Sequence, residues 1–213
     1  MVSNRSTAAS DVKSKTRRAP IAFVGDEAGL LEGLKRAEPG AQATFFDAYE
    51  PAVRRVLARI LGVGDELCDA MQECFFRAFR SIEAVEDPKA LKSWAMRVAV
   101  NVALDQLRQR RRRRWLVLVG ADSWREPSVP TASNELRAVL RATYRVLDRL
   151  PGEERVVFAL RRIDGMELAD VARVCGVSLA TVKRRLSRAE DRFFSLAKRR
   201  PELVEWMNPE DCQ

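Results

Sequence analysis

Two predicted helices and the turn between them carry the clearest binding chemistry in the sequence, ELADVARVCGVSLATVKRRLSRA over residues 167–189. Ala172 is small enough to let the helices approach, and Gly176 tolerates the positive φ that a tight turn requires. The expected contact between the helices consists of Val171, Val177 and Val182. This spacing predicts a helix-turn-helix rather than an ordinary helical hairpin with a solvated basic face.

The second helix of this motif presents side chains that suit DNA. Ser178 is placed to cap the helix. The side chains expected along it are Ala180, Thr181, Lys183, Arg184 and Arg188. Such a helix enters the major groove with its N-terminal side chains near base edges, and its later basic residues reach phosphates. The motif therefore predicts a DNA-binding surface.

The charge of the chain agrees with an anionic partner, and its composition disfavours the common catalytic sites. The 213 residues carry a formal net charge of +8 and include no histidine. The electrostatic field of such a chain attracts anions, so nucleic acid is the first partner to consider and an anionic membrane surface the second. Without histidine, Ser-His and Cys-His nucleophile pairs cannot form, and the usual zinc site lacks ligands. We expect no enzyme, no metal and no cofactor, with Cys68 and Cys74 as small apolar residues of a helix.

Hydrophobic periodicity predicts an all-α chain of two small helical domains joined by a flexible linker. The expected divisions are a disordered basic arm over 1–25, a first domain over 26–115, a linker over 116–134, a second domain over 135–200 and a tail over 201–213. No apolar run approaches the roughly 20 residues of a membrane span. No secretory signal is visible either. We therefore expect a cytoplasmic protein without membrane insertion.

Three helices are predicted in the first domain. The helical period begins at Ala41, and Asp65 is expected to cap the second helix. Pro88, with Asp87 before it as a cap, is expected to open the third helix, which runs over 89–114.

The second and third helices each combine apolar and charged positions. In the second, Phe76 and Phe79 interrupt the polar side, so we expect it to bury more than one stripe. In the third, Trp94 lies on the apolar stripe and is expected in the core. Six of the seven residues over 108–114 are arginines, which repel one another in the absence of anions. The end of this helix therefore predicts contact with nucleic acid.

Taken together, these segments resemble the sigma-70 family, in particular its extracytoplasmic-function (ECF) members, which retain only the second and fourth sigma regions. DAMQECFFRAFR over 69–80 is similar to the family's D-x-x-Q-E/D-x-F helix. DPKALKSWAMRVAVNVALDQLRQRRRR over 87–113 is similar to its promoter-melting segment with a W-x-x-R-I-A-x-N core. VLDRLPGEERVVFALRRIDGMELADVARVCGVSLATVKRRLSRA over 146–189 resembles its −35-binding domain. The resemblance covers about 41–114 and 135–197.

The resemblance implies a bacterial transcription initiation factor that binds core RNA polymerase, directs it to −35/−10 promoters and assists −10 melting. Core polymerase would be bound by Asp69, Gln72, Glu73 and Arg77. The −10 DNA would be bound by Lys92, Arg97, Asn101, Arg108, Arg110 and Arg111, while the loop over 85–92 reads a flipped base. The −35 DNA would be bound by Ser178, Ala180, Thr181, Lys183, Arg184 and Arg188. The loop over 85–92 lacks the aromatic residue and the glycine that many family members carry there. The resemblance therefore does not fix which base of the −10 element this chain prefers.

The implied partners are core RNA polymerase, promoter DNA and an anti-sigma factor, with nucleoid association when the chain is bound to polymerase. Two other hypotheses stay open at this point. A helix-turn-helix regulator that is not a polymerase subunit predicts a ligand pocket or phosphoacceptor in the first half. A DNA-acting enzyme such as a serine recombinase predicts an α/β domain, for which the sequence offers no strands. A compact free state, in which the two domains clasp each other, is a further hypothesis.

Overall fold

The structure, a computed structural model, describes residues 26–116 and 134–204. Within these ranges all regular elements are helical, as the periodicity predicts. The α-helices are α1 (Glu27–Lys35), α2 (Pro39–Leu61), α3 (Asp65–Arg80), α4 (Leu91–Leu116), α5 (Asn134–Leu147), α6 (Gly152–Phe158), α7 (Leu168–Cys175), α8 (Leu179–Ala197) and α9 (Pro201–Val204). In the described ranges no helix combines the length and the apolar character that crossing a membrane requires. The predicted N-terminal arm and most of the predicted linker and tail lie outside the described residues.

Helix α1 precedes the first helix that the periodicity indicates. Its cap is Asp26, whose carboxylate accepts a hydrogen bond from the Gly29 N–H at 2.8 Å. Leu30, Leu31 and Leu34 follow at helical spacing and are buried. Helix α1 packs on α2 and on the two short 3₁₀ turns that precede α4. It therefore fixes the loop that leads into α4.

Helices α2, α3 and α4 pack around an aromatic cluster centred on Phe45. Its ring centroid lies 4.8 Å from Tyr49, 6.0 Å from Phe75 and 6.3 Å from Trp94. Trp94 is half-buried, in line with its expected place in the core. The start of α4 also follows the sequence: the Asp87 carboxylate accepts from the Lys89 N–H at 3.0 Å and caps a 3₁₀ turn.

Two expectations about α3 are wrong. The helix begins at Asp65 itself, and the N-cap position belongs to Gly64, because the extended backbone of the glycine leads directly into the first turn. Phe79 is half-buried, but Phe76 is 55% exposed. The helix therefore buries one broad stripe, because Phe76 projects on the same side as the exposed residue Gln72.

The second domain begins with α5 and ends with α9. Helix α6 continues directly into a π-helical turn over Ala159–Ile163, and Gly165 with φ of 75° then reverses the chain toward α7. Helices α7 and α8 form the helix-turn-helix. Leu203 of α9 is 5% exposed and packs in the cluster shared with α5 and α8. The packed domain thus extends beyond residue 200, into the segment assigned to the tail.

The two domains pack against each other. Buried side chains of α2, α4, α6 and α7 form one continuous core, which includes Ile60, Ala99, Val156 and Val171. Arg155 of α6 is 1% exposed within it, and its Nε donates to the Ile60 carbonyl of α2 at 2.7 Å. This arrangement agrees with the hypothesis of a compact free state.

Candidate nucleic-acid interface

The turn of the helix-turn-helix has the geometry that the sequence predicts. Gly176 adopts φ 66° and ψ 33°, in the left-handed region. Val171 and Val182 are fully buried between the helices. The Ser178 hydroxyl accepts from the Thr181 N–H at 3.2 Å, which caps α8. The turn, the buried valines and the cap therefore fix the position of α8 and the residue at which it begins.

The predicted −35 residues lie together on the outer side of α8. Five are exposed: Ser178, Ala180, Lys183, Arg184 and Arg188. Thr181 is half-buried, and its hydroxyl lies 2.9 Å from that of Ser178. Within 26–116 and 134–204, none of the three cations forms an ion pair with a carboxylate. Arg185 instead points inward and pairs with Glu153 of α6 at 2.5 Å. The outer side of α8 is thus left available for anions.

Helix α4 presents a narrow polar ridge, which we call the α4 ridge. It consists of Arg97, Asn101, Asp105 and Arg108, spaced three or four residues apart and so on one face. Arg97, Asn101 and Arg108 are exposed, so the structure brings three predicted −10 residues to one face of α4. Lys92 is also exposed, but it precedes Arg97 by five residues and so lies about 140° away around the helix axis.

Arg110 does not belong with the other predicted −10 residues. Its side chain is only 19% exposed, because its Nε donates to Glu66 at 2.5 Å and its Nη1 donates to the Leu61 carbonyl at 3.1 Å. It joins the end of α2 and the start of α3 to α4. Arg111 is exposed, so the arginine-rich end of α4 contains both a structural cation and cations available to a ligand.

The predicted polymerase-binding residues share an outer surface of α3, which we call the α3 face. Asp69, Gln72 and Glu73 line a shallow concave surface together with Phe76. Arg80 extends over the Phe76 ring, with its guanidinium carbon 5.4 Å from the centroid. An exposed aromatic ring beside carboxylate and amide groups suits a protein partner.

Arg77 connects the α3 face to the α4 ridge. Its Nε donates to Glu73 at 2.6 Å, and its Nη1 donates to Asp105 at 2.6 Å. Arg108 donates to the other oxygen of Asp105 at 2.9 Å. Hydrogen bonds from Arg77 to Asp105 and Glu73 raise the pKa of its guanidinium. The predicted polymerase residue Arg77 is therefore held mainly by contacts inside the domain.

Sequence reasoning missed three residues of this region: Phe76, Asp105 and Arg155. Phe76 interrupts the polar side of α3, for which the sequence predicts burial, whereas the structure exposes its ring. Asp105 had a signal, since it follows Asn101 by one helical turn. Arg155 had no signal in charge or periodicity, because one partner is the main-chain carbonyl of Ile60, 95 residues earlier, and the other, Asp148, lies seven residues earlier, just after the end of α5.

Two of the cysteines, Cys74 and Cys175, have environments that suppress thiolate formation. Burial raises the pKa of the Cys74 thiol to about 12 and that of the Cys175 thiol to about 11. Cys74 is buried as expected, whereas Cys68 is exposed, contrary to the prediction. Cys68 lies on the outer side of α3, because it follows buried Leu67 by one residue. Cys212 lies outside the described residues.

The two candidate DNA-binding surfaces are neighbours. Arg97 of the α4 ridge donates from Nη2 to the Arg173 carbonyl of α7 at 3.1 Å. Its guanidinium also lies beside the turn, 3.8 Å from where a Cβ on Gly176 would stand. A second cation at the domain boundary, Arg155, is buried: burial lowers the pKa of its guanidinium, and the Asp148 carboxylate opposes that shift.

Comparison with known proteins assigns both domains. Residues 45–113 match the family model for sigma-70 region 2, and residues 140–193 match that for sigma-70, region 4. The ECF RNA polymerase sigma-E factor of Haemophilus influenzae is 26% identical over 171 residues, covering 76% of this chain and 90% of that protein. The sigma-E factor of Escherichia coli is 27% identical over 174 residues, covering 76% and 89%.

Two solved structures are similar in fold. The sigma factor RpoE of Bartonella quintana, in complex with the anti-sigma factor NepR, gives a TM-score of 0.50 at 25% identity, over 70% of this chain and 91% of that chain. CnrH, in complex with the cytosolic domain of CnrY, gives a TM-score of 0.55 at 21% identity, over 82% and 99%. With both regions matched in order and the two relatives matched over 90% and 89% of their length, this chain belongs to the sigma-70 family as an ECF sigma factor, a protein that directs RNA polymerase.

Proposed function

We propose that the chain engages polymerase and promoter DNA through three separate surfaces: the α3 face, the α4 ridge and the outer side of α8. The observation that carries this proposal is the attachment of the α3 face to the α4 ridge through Arg77 and Asp105. One rigid unit thereby presents a protein-binding surface next to a nucleic-acid-binding one. A regulator that acts without polymerase has no need of the first surface, and the relatives do not favour that alternative.

The α3 face binds core RNA polymerase. Asp69 and Gln72 are exposed there, and Glu73 is half-buried. The exposed Phe76 ring gives this surface an apolar centre with a polar rim, the usual anatomy of a protein interface. Arg77 contributes by orienting Glu73, with which it shares a hydrogen bond of 2.6 Å.

The α4 ridge receives the −10 element as it opens. Asn101 offers both a donor and an acceptor for the edge of an unstacked base. Arg97, Arg108 and Arg111 neutralise phosphates, with Lys92 at the beginning of the helix. The loop over 85–92 holds the flipped base, and α1 supports that loop from behind. Extruding a base costs a few kcal/mol, which these contacts offset.

The outer side of α8 binds the −35 element as duplex DNA. Ser178, Ala180 and Thr181 stand at the N-terminal end, where side chains of a recognition helix approach base edges. Lys183, Arg184 and Arg188 follow and contact phosphates. The chain contributes no catalytic step of its own, since polymerase performs the chemistry, and it acts in the cytoplasm at the nucleoid.

An anti-sigma factor restrains the chain. The support is the similar RpoE structure, which is a complex with the anti-sigma factor NepR. Co-purification from cells of the source bacterium, with Asp69→Lys as a comparison, would identify the partner and test whether it covers the α3 face.

Run-off transcription with bacterial core polymerase tests the function. Pooled genomic promoter fragments are transcribed with and without the protein, and discrete new transcripts are expected. Asp69→Lys should abolish them while leaving binding of α8 to duplex DNA intact. Glu32→Lys is the matched control, because it makes the same charge change at an exposed position of α1. Tight duplex binding without any transcript would support the regulator instead.

A further inference from the structure

Asp105 places a negative charge in the middle of a surface that otherwise suits DNA. It is the single acidic residue in the sequence of α4, and it lies on the α4 ridge between Asn101 and Arg108. A free carboxylate repels phosphates, and this repulsion reaches roughly 10 Å at about 0.1 M salt. The α4 ridge therefore needs the charge of Asp105 to be neutralised from within the protein if it is to bind DNA well.

Two arginines neutralise Asp105, one at each carboxylate oxygen. Arg77 of α3 donates to Oδ2 at 2.6 Å, and Arg108 donates to Oδ1 at 2.9 Å. The side chain of Arg108 is 62% exposed, whereas that of Arg77 is 39% exposed. Arg77 has a second anchor as well, because it donates to the Glu73 carboxylate at 2.6 Å. Arg108 is therefore the partner that a phosphate can take from Asp105, and Arg77 is the partner that stays.

A phosphate that binds Arg108 leaves Asp105 with Arg77 alone. Asp105 and Arg108 are three residues apart and so lie on the same side of α4, which places such a phosphate within reach of the repulsion. With Arg77 in place, the carboxylate stays paired and the DNA meets a neutral ion pair. Without Arg77, the unpaired carboxylate would offset part of the attraction between Arg108 and the phosphate.

We propose that Arg77 is a positioning residue for −10 DNA, which keeps Asp105 paired while Arg108 moves from Asp105 to a phosphate. This inference rests on the proposed binding of −10 DNA at the α4 ridge, and it gives Arg77 a role beyond the α3 face. An arginine suits this position because its planar guanidinium donates to two carboxylates in fixed directions, whereas a lysine ammonium is a compact point charge. Asp105 in turn holds Arg108 until DNA arrives.

A double-mutant cycle on Arg77 and Asp105 tests the proposal. Arg77→Gln leaves Asp105 unpaired once DNA has taken Arg108, so it should weaken the binding of −10 DNA several-fold. Asp105→Asn removes the repelling charge and should bind at least as tightly as the wild type. In the double variant the loss caused by Arg77→Gln should disappear, because no carboxylate remains to be neutralised.

Arg54→Gln is the matched control for the change of charge. Arg54 is exposed on α2 and pairs with Glu50 four residues earlier, just as Arg77 pairs with Glu73. The variant removes the same charge from the same kind of helical ion pair, and it leaves both partners of Asp105 in place. It should bind −10 DNA as the wild type does.

The measurement is a fluorescence anisotropy titration of the full chain bound to excess core polymerase. The probe is a labelled single-stranded oligonucleotide that carries the −10 element mapped by run-off transcription. The loss caused by Arg77→Gln should shrink as the salt concentration rises, because salt screens the repulsion by Asp105. Core affinity is measured separately with labelled chains, and Arg77→Gln should change it by the same factor whether residue 105 is Asp or Asn.

Three outcomes would contradict these expectations, and they are distinguishable. An equal loss of DNA affinity from Arg77→Gln with Asp or Asn at position 105 would overturn the proposal, since Arg77 would then act without Asp105. Weaker DNA binding by Asp105→Asn than by the wild type would also overturn it, because the carboxylate would then help to hold the DNA. Failure of the wild-type complex to bind the oligonucleotide would instead contradict the proposed −10 binding itself.

Discussion

The two helices that meet DNA in the proposed complex are held in different ways. On α8, Lys183, Arg184 and Arg188 are exposed and have no ion-pair partner among the described residues. On α4, the two cations of the α4 ridge already have acceptors inside the protein, since Arg108 donates to Asp105 and Arg97 donates to a main-chain carbonyl of α7.

The cations on α8 can therefore bind DNA phosphates directly, whereas those of the α4 ridge must first release the acceptors that they already have. Duplex DNA gains the full attraction of α8 because no internal carboxylate competes for its cations. DNA at the α4 ridge has to replace existing hydrogen bonds, so the net gain per contact is smaller. Such exchange suits a step that follows docking of the α3 face on polymerase.

Arg155→Met should give the largest effect, because Arg155 keeps α6 on α2 beside the α4 ridge. The change leaves Asp148 and the Ile60 carbonyl without their guanidinium partner. Removing one member of a buried pair costs about 3–5 kcal/mol of unfolding free energy, measurable by urea denaturation. Arg162→Met is the control, since its ion pair with Glu190 is more exposed. Equal losses for both variants would contradict the assigned role of Arg155.

Arg110→Ala and Arg111→Ala should divide the arginine-rich end of α4 into its two functions. Arg110→Ala leaves the Leu61 carbonyl and Glu66 unpaired, so we expect a stability loss of about 1–3 kcal/mol. Arg111→Ala should leave stability within about 0.5 kcal/mol. It should reduce the salt dependence of single-stranded DNA binding by about 0.7 in the log–log slope. If Arg111→Ala lowered stability instead, and Arg110→Ala lowered the salt dependence of DNA binding, the α4 ridge would extend through Arg110.

Ser178→Ala should affect α8 alone. Loss of the cap hydrogen bond to Thr181 costs about 1 kcal/mol, and duplex binding should weaken because the N-terminal turn frays. Ser178→Asn keeps a capping acceptor and should retain most of the stability. Urea denaturation and a fluorescence titration with −35 duplex would separate the two effects. A variant Ser178→Asn as unstable as Ser178→Ala would argue against the cap as the cause.

Lys183→Ala and Arg188→Ala should have the smallest effect on folding, within about 0.5 kcal/mol. Each should lower duplex affinity for all sequences alike and reduce the salt slope by about 0.9. Measuring the slopes between low and moderate salt checks this directly. A loss of affinity that appears only for duplexes with one particular base pair would show that the side chain contacts a base edge rather than a phosphate.

Most helices follow from local patterns, with specific exceptions. The helix-turn-helix was predictable, because Gly176 and Ser178 act on the backbone within three residues of themselves. Helix α1 had its cap Asp26 and its three leucines in the sequence, but its nine residues are few for a periodicity argument. Phe76 was misplaced because period alone does not say whether an aromatic on the polar side meets another helix or solvent.

The sequence by itself determined the helical domains, the cap and turn of the recognition motif, and the residue types able to meet DNA and polymerase. Only the tertiary structure decided which cations are free to do so. Arg110 and Arg155 donate to the carbonyls of Leu61 and Ile60, and every residue has such a carbonyl, so no spacing in the chain predicts the pairing. Asp164 likewise meets Arg55 across 109 positions, because the fold, rather than any local pattern, brings α2 to the end of the π-helical turn.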